Sequence, residues 1–344
     1  MAAMYRVGIV GLGRVASSIQ EEVAGYAGRM LLPYSHTHAY AAVPQTRVCA
    51  VADVDPQKTA AYVEQWEPEC GEIAVHSSYE DMLQREDLDI VSVCTHAPLH
   101  APVTLAAAEA GVKAVFCEKA IATSLAEADK MVAACDERNV KLVINHTRRW
   151  DPYYETALAL IADGRIGNVR TISAHFAGVL IHTGIHWLDV MLMFSQSPAA
   201  WVMGILAPGA DVASDAGGTA YVGFHNGVMG FIDGQSGPVF EIDVIGTAGR
   251  LRLSSSEAEF FTFDSATRTM VKRPFPLVAY PRSGMQGAVE EILRCIEEDR
   301  PSRSDGRVGR AALELALAVY ASHASNGARV HLPLSERDRV VLSR

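Results

Sequence analysis

Small residues near the start of the chain have the spacing of a loop that could hold phosphate groups. Gly11, Gly13 and Ala16 follow the apolar run Val7–Val10 in the order G-x-G-x-x-A. Gly11 permits a tight turn, Gly13 allows the backbone to approach a pyrophosphate, and Ala16 allows a following helix to pack against the strand. A helix beginning here would direct its N–H groups and the positive end of its dipole at the phosphates. The pattern therefore predicts a strand, a turn and a helix that bind a dinucleotide.

An acidic residue further along the chain fits the same ligand. A second apolar run ends in Asp53, whose carboxylate could bind the 2′-hydroxyl of an adenosine ribose. The gap from Gly13 exceeds the usual one of about 20 residues, so an insertion is predicted between them. Because a carboxylate repels a 2′-phosphate, Asp53 favours NAD over NADP, although Arg14 and Lys58 could reduce the repulsion. The alternative is a glycine turn of another α/β protein, with Asp53 a solvated strand end.

The first part of the chain has the alternation of strands and helices that would position these residues. Such alternation predicts parallel βαβ units whose ligand lies beyond the carboxyl ends of the strands. Strands are predicted at Val7–Val10, Val48–Ala52, Ile90–Cys94, Ala114–Cys117 and Leu142–Asn145. Helices are predicted at Pro56–Trp66, Tyr79–Arg85, Pro102–Ala110 and Ser124–Arg138. Residues 17–37 are expected to extend the first helix and form a loop near the cofactor.

Beyond about residue 150 consecutive strands predict an antiparallel sheet. They are expected at Val169–Phe176, Ala200–Leu206, Thr219–His225, Val228–Asp233, Phe240–Ile245, Arg250–Leu253 and Glu259–Phe263, with helices at Gly287–Glu298 and Gly306–Ala324. Asn226-Gly227 predicts a type I′ hairpin. The predicted fold is an α/β Rossmann domain over residues 1–147 plus an α+β domain with a mainly antiparallel open sheet over residues 148–344, whose C-terminal segment could pack back on the first domain. The second face of that sheet is expected to be buried in a homodimer or homotetramer.

Composition argues against several classes of function. The 344 residues are enough for two domains, and a net charge of −10 without a dense Lys/Arg block argues against nucleic-acid binding. The apolar runs are too short to span a bilayer, and the first strand begins too early for a signal peptide, so no membrane partner is expected. The six cysteines are scattered without a C-x-x-C pair, which favours reduced thiols and a cytoplasmic location.

Several segments, taken in order, resemble the Gfo/Idh/MocA oxidoreductase family (glucose–fructose oxidoreductase, inositol dehydrogenase and relatives). The similar segments are V-G-I-V-G-L-G-R-V-A at 7–16, V-A-D at 51–53, C-T-H-A-P-L-H at 94–100, C-E-K-A at 117–120, R-R-W-D-P at 148–152, G-I-H-W-L-D at 184–189, G-T-A-G at 246–249 and V-H-L-P at 330–333. The resemblance covers nearly the whole chain. It implies an NAD-dependent oxidoreductase that transfers a hydride between the nicotinamide and a hydroxyl of a sugar, polyol or sugar derivative.

The resemblance also implies roles for particular residues. Lys119 is expected to polarise the reacting oxygen and His186 to act as the acid–base group, with His182 as a further catalytic candidate. Without the resemblance, Lys119 reads as a solvated strand end and His186 as an ordinary helix histidine. The cofactor contacts are expected to be Gly11, Gly13, Arg14, Val15, Ala16, Asp53, Thr95, His96, His100 and Glu118, with Glu118 also restraining Lys119 and with His36 and His38 as weaker candidates nearby.

Substrate contacts are expected from two parts of the sequence. Asn145, His146 and Arg149 follow the last parallel strand and could reach substrate hydroxyls. Trp150 could stack on a sugar ring or belong to the core. The remaining substrate candidates are Lys119, His182 and Asp189, of which Asp189 is expected to orient His186 or cap its turn.

Two positions depart from the family pattern. His182 stands where the family often has an aspartate, and Ala120 stands where proline is usual. A cis peptide before alanine costs about 2.5–4 kcal/mol, so the loop with Lys119 is expected to be trans and differently shaped. A metal could be held by His182, His186 and Asp189 if they shared a helix face. No metal is expected, because Gly184 weakens a helix there and the H-E-x-x-H pattern is lacking.

The sequence is also compatible with two other functions. An NAD-dependent glycosidase or lyase would oxidise the sugar transiently, eliminate a substituent and return the hydride. A non-catalytic, NAD-binding regulator would suit the changed residues at 120 and 182.

Overall fold

The computed structural model describes residues 4–25, 31–276 and 282–343. These residues form two compact units. The first comprises residues 4–25, 31–150 and 282–310, and the second comprises 151–276 and 311–343. Each unit has its own β-sheet.

The sheet of the first unit has six parallel strands. They are β1 (Tyr5–Val10), β2 (Thr46–Ala52), β3 (Ala74–His76), β4 (Ile90–Val93), β5 (Ala114–Cys117) and β6 (Lys141–Ile144). Their order is β3-β2-β1-β4-β5-β6. Successive strands are added towards one edge from β1 to β3, and the chain then returns to the middle and adds β4 to β6 towards the other edge. This is the Rossmann order, and ligands bind at the carboxyl ends of the strands where the order reverses. The predicted α/β Rossmann fold is confirmed.

Several helices begin at a polar residue whose side chain caps the first turn. The described residues form α1 (Ile19–Ala24), α2 (His36–Ala41), α3 (Pro56–Cys70), α4 (Tyr79–Arg85), α5 (His100–Glu109), α6 (Leu125–Glu137), α7 (Pro152–Ala162), α8 (Ile185–Ser195), α9 (Gly284–Glu297) and α10 (Gly306–Ala324). The side chains of Asp55, Ser78 and Ser124 accept hydrogen bonds from the first turns of α3, α4 and α6. Such caps satisfy N–H groups that the helix itself leaves without acceptors.

The prediction of a helix directly after the glycine turn was wrong. The chain after Gly13 forms turns, and α1 begins only at Ile19. The backbone N–H groups of His36 and Thr37, at the start of α2, donate to the carbonyls of Val15 and Ala16 at 3.1 and 2.9 Å. In an α-helix that began at the turn, those carbonyls would accept hydrogen bonds from N–H groups of the same helix. Because they accept from α2 instead, that helical turn does not form. Of the predicted segment 17–37, residues 26–30 lie outside the described part.

The sheet of the second unit is mainly antiparallel, as predicted. Its strands are β7 (Val169–His175), β8 (Ala199–Leu206), β9 (Gly218–Phe224), β10 (Met229–Asp233), β11 (Glu241–Gly246), β12 (Gly249–Ser254), β13 (Ala258–Asp264), β14 (Thr269–Arg273) and β15 (Val330–His331). Their order is β14-β13-β12-β11-β7-β10-β9-β8-β15, and among the described strands of this sheet only the β7–β10 pair is parallel. Alternate residues such as Ile172, Val222 and Ile232 are buried on one face. The predicted α+β fold with an open sheet is confirmed.

The hairpin between β9 and β10 differs from the predicted type I′ turn. Its turn closes from the carbonyl of Phe224 to the N–H of Gly227 at 3.0 Å. Gly227 has a φ of +84°, whereas Asn226 is not among the residues with positive φ. A type I′ turn needs positive φ at both central residues, so that assignment was wrong. The loop instead combines a turn over 224–227 with a left-handed glycine at its end, which is typical of three-residue hairpin loops.

Candidate active site

The glycine turn at the end of β1 is closed on one side and open on the other. Gly11 has a φ of +86°, and a Cβ there would lie 2.9–3.0 Å from backbone and side-chain atoms of Cys94 and Thr95. Gly13, by contrast, has no atom within 4 Å of such a Cβ. Gly11 is therefore required by the protein itself, whereas the space beside Gly13 is available to a ligand.

This difference predicts separate effects for two alanine substitutions. Gly13→Ala should fold with wild-type stability yet weaken NAD binding by about tenfold or more, because its methyl group would occupy space needed by the pyrophosphate. Gly11→Ala should lower the stability of the fold as well, because an alanine at this position has no room for its Cβ and disfavours the positive φ. Thermal unfolding and titration of NAD by protein fluorescence measure the two effects. Wild-type NAD affinity in Gly13→Ala would contradict this assignment of the pyrophosphate site.

Asp53 joins the end of β2 to the glycine turn. One carboxylate oxygen accepts from the backbone N–H of Leu12 at 2.7 Å, and the other accepts from the N–H of Asp55 at 2.9 Å. The carboxylate is therefore held beside the turn on backbone donors. Arg14, which was expected to soften repulsion of a 2′-phosphate, donates through Nε to Glu22 at 2.8 Å. Its charge is partly balanced there.

The loops after β4 and β5 are joined through a buried histidine. The ring nitrogens of His100 lie 2.7 Å from the carbonyl of Ala120 and 3.0 Å from the carbonyl of Thr95. Burial lowers the pKa of His100, although the two carbonyls oppose the shift. His96 lies exposed in the first of these loops. His100 thus acts as a clamp between two loops that were both predicted to contact the cofactor.

The Lys119–Ala120 peptide is cis, so the expectation of a trans bond was wrong. The segment is fixed by its surroundings, because Ala120, Ile121 and Ala122 are buried and His100 contacts the carbonyl of Ala120. The loop therefore keeps a cis bond although alanine replaces the usual proline.

Glu118 lies at the centre of a buried polar cluster at the carboxyl end of β5. Its Oε1 accepts from Asn145 Nδ2 at 2.5 Å and lies 3.0 Å from His36 Nε2, while Oε2 accepts from the backbone N–H of Lys119 at 3.3 Å. Burial alone would raise the pKa of Glu118, but His36, Lys119 and Asn145 outweigh it and lower the pKa to about 2. Glu118 is thus a buried carboxylate kept ionised by its neighbours.

This lowered pKa predicts how stability depends on pH. Between its usual value of 4.5 and about 2, Glu118 is protonated in the unfolded chain but ionised in the folded one. Its contribution is complete above pH 4.5 and is lost as the pH falls toward 2. We therefore expect the free energy of unfolding to fall less steeply with acid in Glu118→Gln than in the wild type. Urea titrations at about pH 5 and about pH 3 measure this, with exposed Glu137→Gln as the control; equal slopes would contradict it.

The residues after β6 are more enclosed than the sequence suggested. Asn145 and His146 are buried, and Trp150 is fully buried in the hydrophobic core. A Cβ added at Gly287 of α9 would lie 2.9 Å from the Trp150 Cβ, which shows how closely this helix packs there. The guanidinium of Arg149 donates to the carbonyl of Arg303 at 3.1 Å. Of this group, Asn145 contacts the Glu118 cluster directly.

The predicted residues of the second unit lie on one helical segment. Leu180–Gly184 forms a wide π-type turn, in which Gly184 N–H donates to Val179 five residues before it at 2.9 Å, and α8 follows. His182 is exposed on the wide turn, His186 is half-buried in the first turn of α8, and Asp189 is buried. The wide turn alters the α-helical spacing that had suggested a shared face for His182 and His186.

Sequence reasoning missed the residue that holds this segment. The carboxylate of Asp215 accepts from the backbone N–H groups of Ile181 and His182 at 2.8 and 2.7 Å. Ser343 donates to the same carboxylate at 2.8 Å. Asp215 therefore anchors the turn that leads to His186. No sequence pattern linked Asp215 to residues 33 and 34 positions away, since only the fold brings them together.

Within the described ranges, no group of three His, Cys, Asp or Glu residues is arranged to hold a metal ion. The six cysteines are free thiols. None of the helices that the structure describes is long and apolar enough to cross a membrane.

The strand order and the glycine turn are those of a Rossmann domain of the class that binds dinucleotides. Residues 5–146 match the Gfo/Idh/MocA profile, that of an oxidoreductase family with an NAD-binding Rossmann fold. The match lies in the first part of the chain, and the resemblance to this family that was read from the sequence is confirmed.

Relatives match over most of the chain. D-apiose dehydrogenase of Paraburkholderia graminis is 27% identical over 338 residues, covering 88% of this chain and 88% of the relative. Myo-inositol 2-dehydrogenase of Thermotoga maritima is 22% identical, covering 92% and 96%. The structure of aldose-aldose oxidoreductase from Caulobacter crescentus superposes with a TM-score of 0.78 at 21% identity, covering 96% of this chain and 100% of that one. The last likeness supports the fold.

Proposed function

We propose that this protein is an NAD-dependent oxidoreductase that oxidises a hydroxyl of a sugar, polyol or sugar derivative to a carbonyl. The observation that carries the proposal is the cluster at the carboxyl end of β5, where Lys119 follows the ionised Glu118 in a Rossmann unit with an open glycine turn. The relatives named as dehydrogenases of apiose and inositol support the substrate class.

The reaction needs a group that polarises the oxygen and a group that takes its proton. Bound NAD supplies the hydride acceptor. The Lys119 ammonium donates a hydrogen bond to the reacting oxygen and stabilises the negative charge that develops as the proton leaves. His186 takes that proton as general base and returns it in the reverse direction. His182 assists at the same hydroxyl, and Asp189 orients the helix turn that carries His186.

Cofactor binding follows from the same arrangement. The predicted contacts Gly11, Gly13, Arg14, Val15 and Ala16 form the phosphate turn, and Asp53 beside it suits the ribose of NAD better than the 2′-phosphate of NADP. Thr95, His96, His100 and Glu118 contribute from the loops after β4 and β5. Asn145 supports a polar ligand at the substrate side, because its buried Oδ1 has no hydrogen bond to any residue that the structure describes.

The proposal is tested by following absorbance at 340 nm with NAD and a panel of sugars, polyols, lactones and sugar acids. We expect net NADH formation with at least one member and a slower rate with NADP. Product formation without net NADH would instead indicate transient oxidation with return of the hydride. Binding of NAD with no turnover on any member would contradict the proposal.

The outer face of the second sheet is proposed as the surface through which this chain forms a homodimer or homotetramer. The exposed face around β8, β9 and β10 is apolar and includes Ile205, Tyr221 and Met229, which are 55%, 54% and 37% exposed. Towards β12, the same face has ion pairs such as Arg250 with Asp243 at 2.6 Å. A large exposed apolar area beside ordered charges is typical of a protein interface.

This proposal predicts the mass of a surface variant. Tyr221→Glu should shift the protein to a smaller species, because a carboxylate would have to be desolvated at the interface. Sedimentation velocity measures the change. Val75→Glu is the matched control, since Val75 is 49% exposed on a strand of the first unit. A monomeric wild type, or an unchanged mass for Tyr221→Glu, would contradict the assignment.

A further inference from the structure

A buried chain of hydrogen bonds runs from α2 to the residue before Lys119. The Tyr40 hydroxyl lies 3.0 Å from Ser92 Oγ, and Ser92 Oγ lies 2.8 Å from His36 Nδ1. On the other side of the ring, His36 Nε2 lies 3.0 Å from Glu118 Oε1. Tyr40, Ser92 and His36 are all completely buried. The chain therefore joins α2, β4 and the end of β5 within the first unit.

The charge of Glu118 fixes the direction of the last bond in this chain. An ionised carboxylate only accepts hydrogen bonds, so His36 Nε2 carries a proton and donates to Glu118. On the other side of the ring, His36 Nδ1 is within hydrogen-bond distance of the Ser92 hydroxyl, which in turn contacts the Tyr40 hydroxyl. The bond that constrains Glu118 directly is therefore the one donated by His36 Nε2.

Glu118 passes this constraint to the next residue. Its second oxygen accepts from the Lys119 backbone N–H at 3.3 Å, while Asn145 Nδ2 shares the first oxygen with His36. Both carboxylate oxygens are thus hydrogen-bonded. These bonds hold the carboxylate in the orientation in which it accepts from the Lys119 backbone N–H. The ring of Phe116 packs 4.6 Å from the His36 ring and closes the remaining side.

Ser92, His36 and Glu118 have the residue types of a nucleophilic triad, but they do not form one. The Ser92 hydroxyl is completely buried and is engaged by both His36 and Tyr40. A substrate cannot reach it, so the set acts on the protein rather than on a ligand. The titratable groups that surround His36 and Glu118 are Tyr40, Cys94, Cys117, His100 and Lys119.

We propose that His36 is a positioning residue, which holds the Glu118 carboxylate in the orientation that fixes the Lys119 backbone and so aims the Lys119 side chain. This inference rests on the proposed role of Lys119 as the group that polarises the reacting oxygen. His36 itself touches neither substrate nor cofactor in this account.

Two amide substitutions separate the two sides of the histidine ring. His36→Gln places an N–H near the position of Nε2 and keeps a donor for Glu118. His36→Asn places its amide near the position of Nδ1, where it meets Ser92 but is too short to reach Glu118. Tyr40→Phe removes the far end of the chain and is the control for disturbing α2.

The first readout is independent of activity. With 15N-lysine labelling, and Lys119→Arg to assign the signal, the Lys119 amide resonance should shift in His36→Asn and stay near its wild-type position in His36→Gln and Tyr40→Phe. An unmoved Lys119 amide in folded His36→Asn would overturn the proposal. This result is obtained even if no sugar is oxidised, so failure of the proposed function and failure of this inference are distinguishable.

The second readout is the dependence of turnover on pH. His36→Asn should lower kcat by about tenfold to a hundredfold with little change in the KM for NAD, while His36→Gln recovers most of the rate. Without its donor, Glu118 is protonated more easily, so the acid limb that we assign to His186 should become steeper at its low-pH end in His36→Asn. Equal kcat and the same pH profile in the Asn and Gln variants would overturn the positioning role.

Discussion

Lys119→Met should lower kcat for hydride transfer by about a hundredfold to a thousandfold while the protein stays folded. Removal of one preorganised donor to a developing oxyanion has an effect of about this size in other enzymes. Methionine keeps the length and the apolar stem of the side chain but cannot donate or carry charge. NAD affinity should change much less than kcat, because the proposed role of Lys119 is at the reacting oxygen.

The matched control is a lysine at the other end of the same strand. Lys113 precedes β5, and its ammonium pairs with Asp89 at 2.7 Å, away from the carboxyl ends of the strands. Lys113→Met should keep wild-type kcat. Steady-state assays at saturating NAD, with NAD binding followed by fluorescence, compare the two variants. Wild-type kcat in Lys119→Met would remove Lys119 from the mechanism.

His186→Asn should lower kcat by about a hundredfold to ten-thousandfold, the range observed for removal of a general base. The loss should be accompanied by a change in the pH profile. In the wild type, oxidation slows as acid protonates the imidazole, because a protonated ring cannot accept the hydroxyl proton. His186→Asn should lack that limb, since asparagine does not titrate.

His225→Asn is the control for this variant, because His225 lies exposed in the hairpin between β9 and β10. It should keep both the wild-type rate and the wild-type pH profile. An unchanged acid limb in His186→Asn would show that another group takes the proton. His182 would then be the next residue to replace, as it lies on the wide turn that leads into α8.

The double variant tests whether the two groups act in one step. If Lys119 and His186 act on the same oxygen, the Lys119→Met/His186→Asn protein should be little slower than the slower single variant. Independent roles would instead give a loss equal to the product of the two single effects.

The strands of both sheets could largely be predicted because their apolar patterns are strong. Parallel strands buried on both faces, such as β4 and β5, appear as continuous apolar runs, and the strands of the second sheet alternate. Two of the strands that were not predicted, β3 and β14, lack such a signal. β3 has only three residues at the sheet edge, and β14 is exposed along most of its length.

The errors lie where distant parts of the chain determine local structure. The helix expected after Gly13 is displaced by the backbone hydrogen bonds that α2 donates to Val15 and Ala16. The cis peptide before Ala120 belongs to a loop clamped by His100, from another part of the chain. Local sequence preferences could indicate neither contact.

The candidate site was predictable in its residue types but not in its connections. The motif around Glu118 and Lys119 could be read from the sequence, and so could the histidine at 186. The pairing of His36 with Glu118 spans 82 positions, and Asp215 lies 33 positions from His182, so neither follows from spacing along the chain. These buried partners have no periodic pattern, because they satisfy single polar atoms rather than a face of a helix or strand.

The most direct test of hydride transfer is a single-turnover experiment at 340 nm. The NAD-loaded protein is mixed with the best substrate from the panel, either unlabelled or deuterated at the carbon that bears the reacting hydroxyl. We expect a burst of NADH approaching one per subunit, slower with the deuterated substrate and greatly slowed in Lys119→Met and His186→Asn. A burst at the wild-type rate in both variants, or no NADH from NAD-loaded wild type with any substrate, would contradict it.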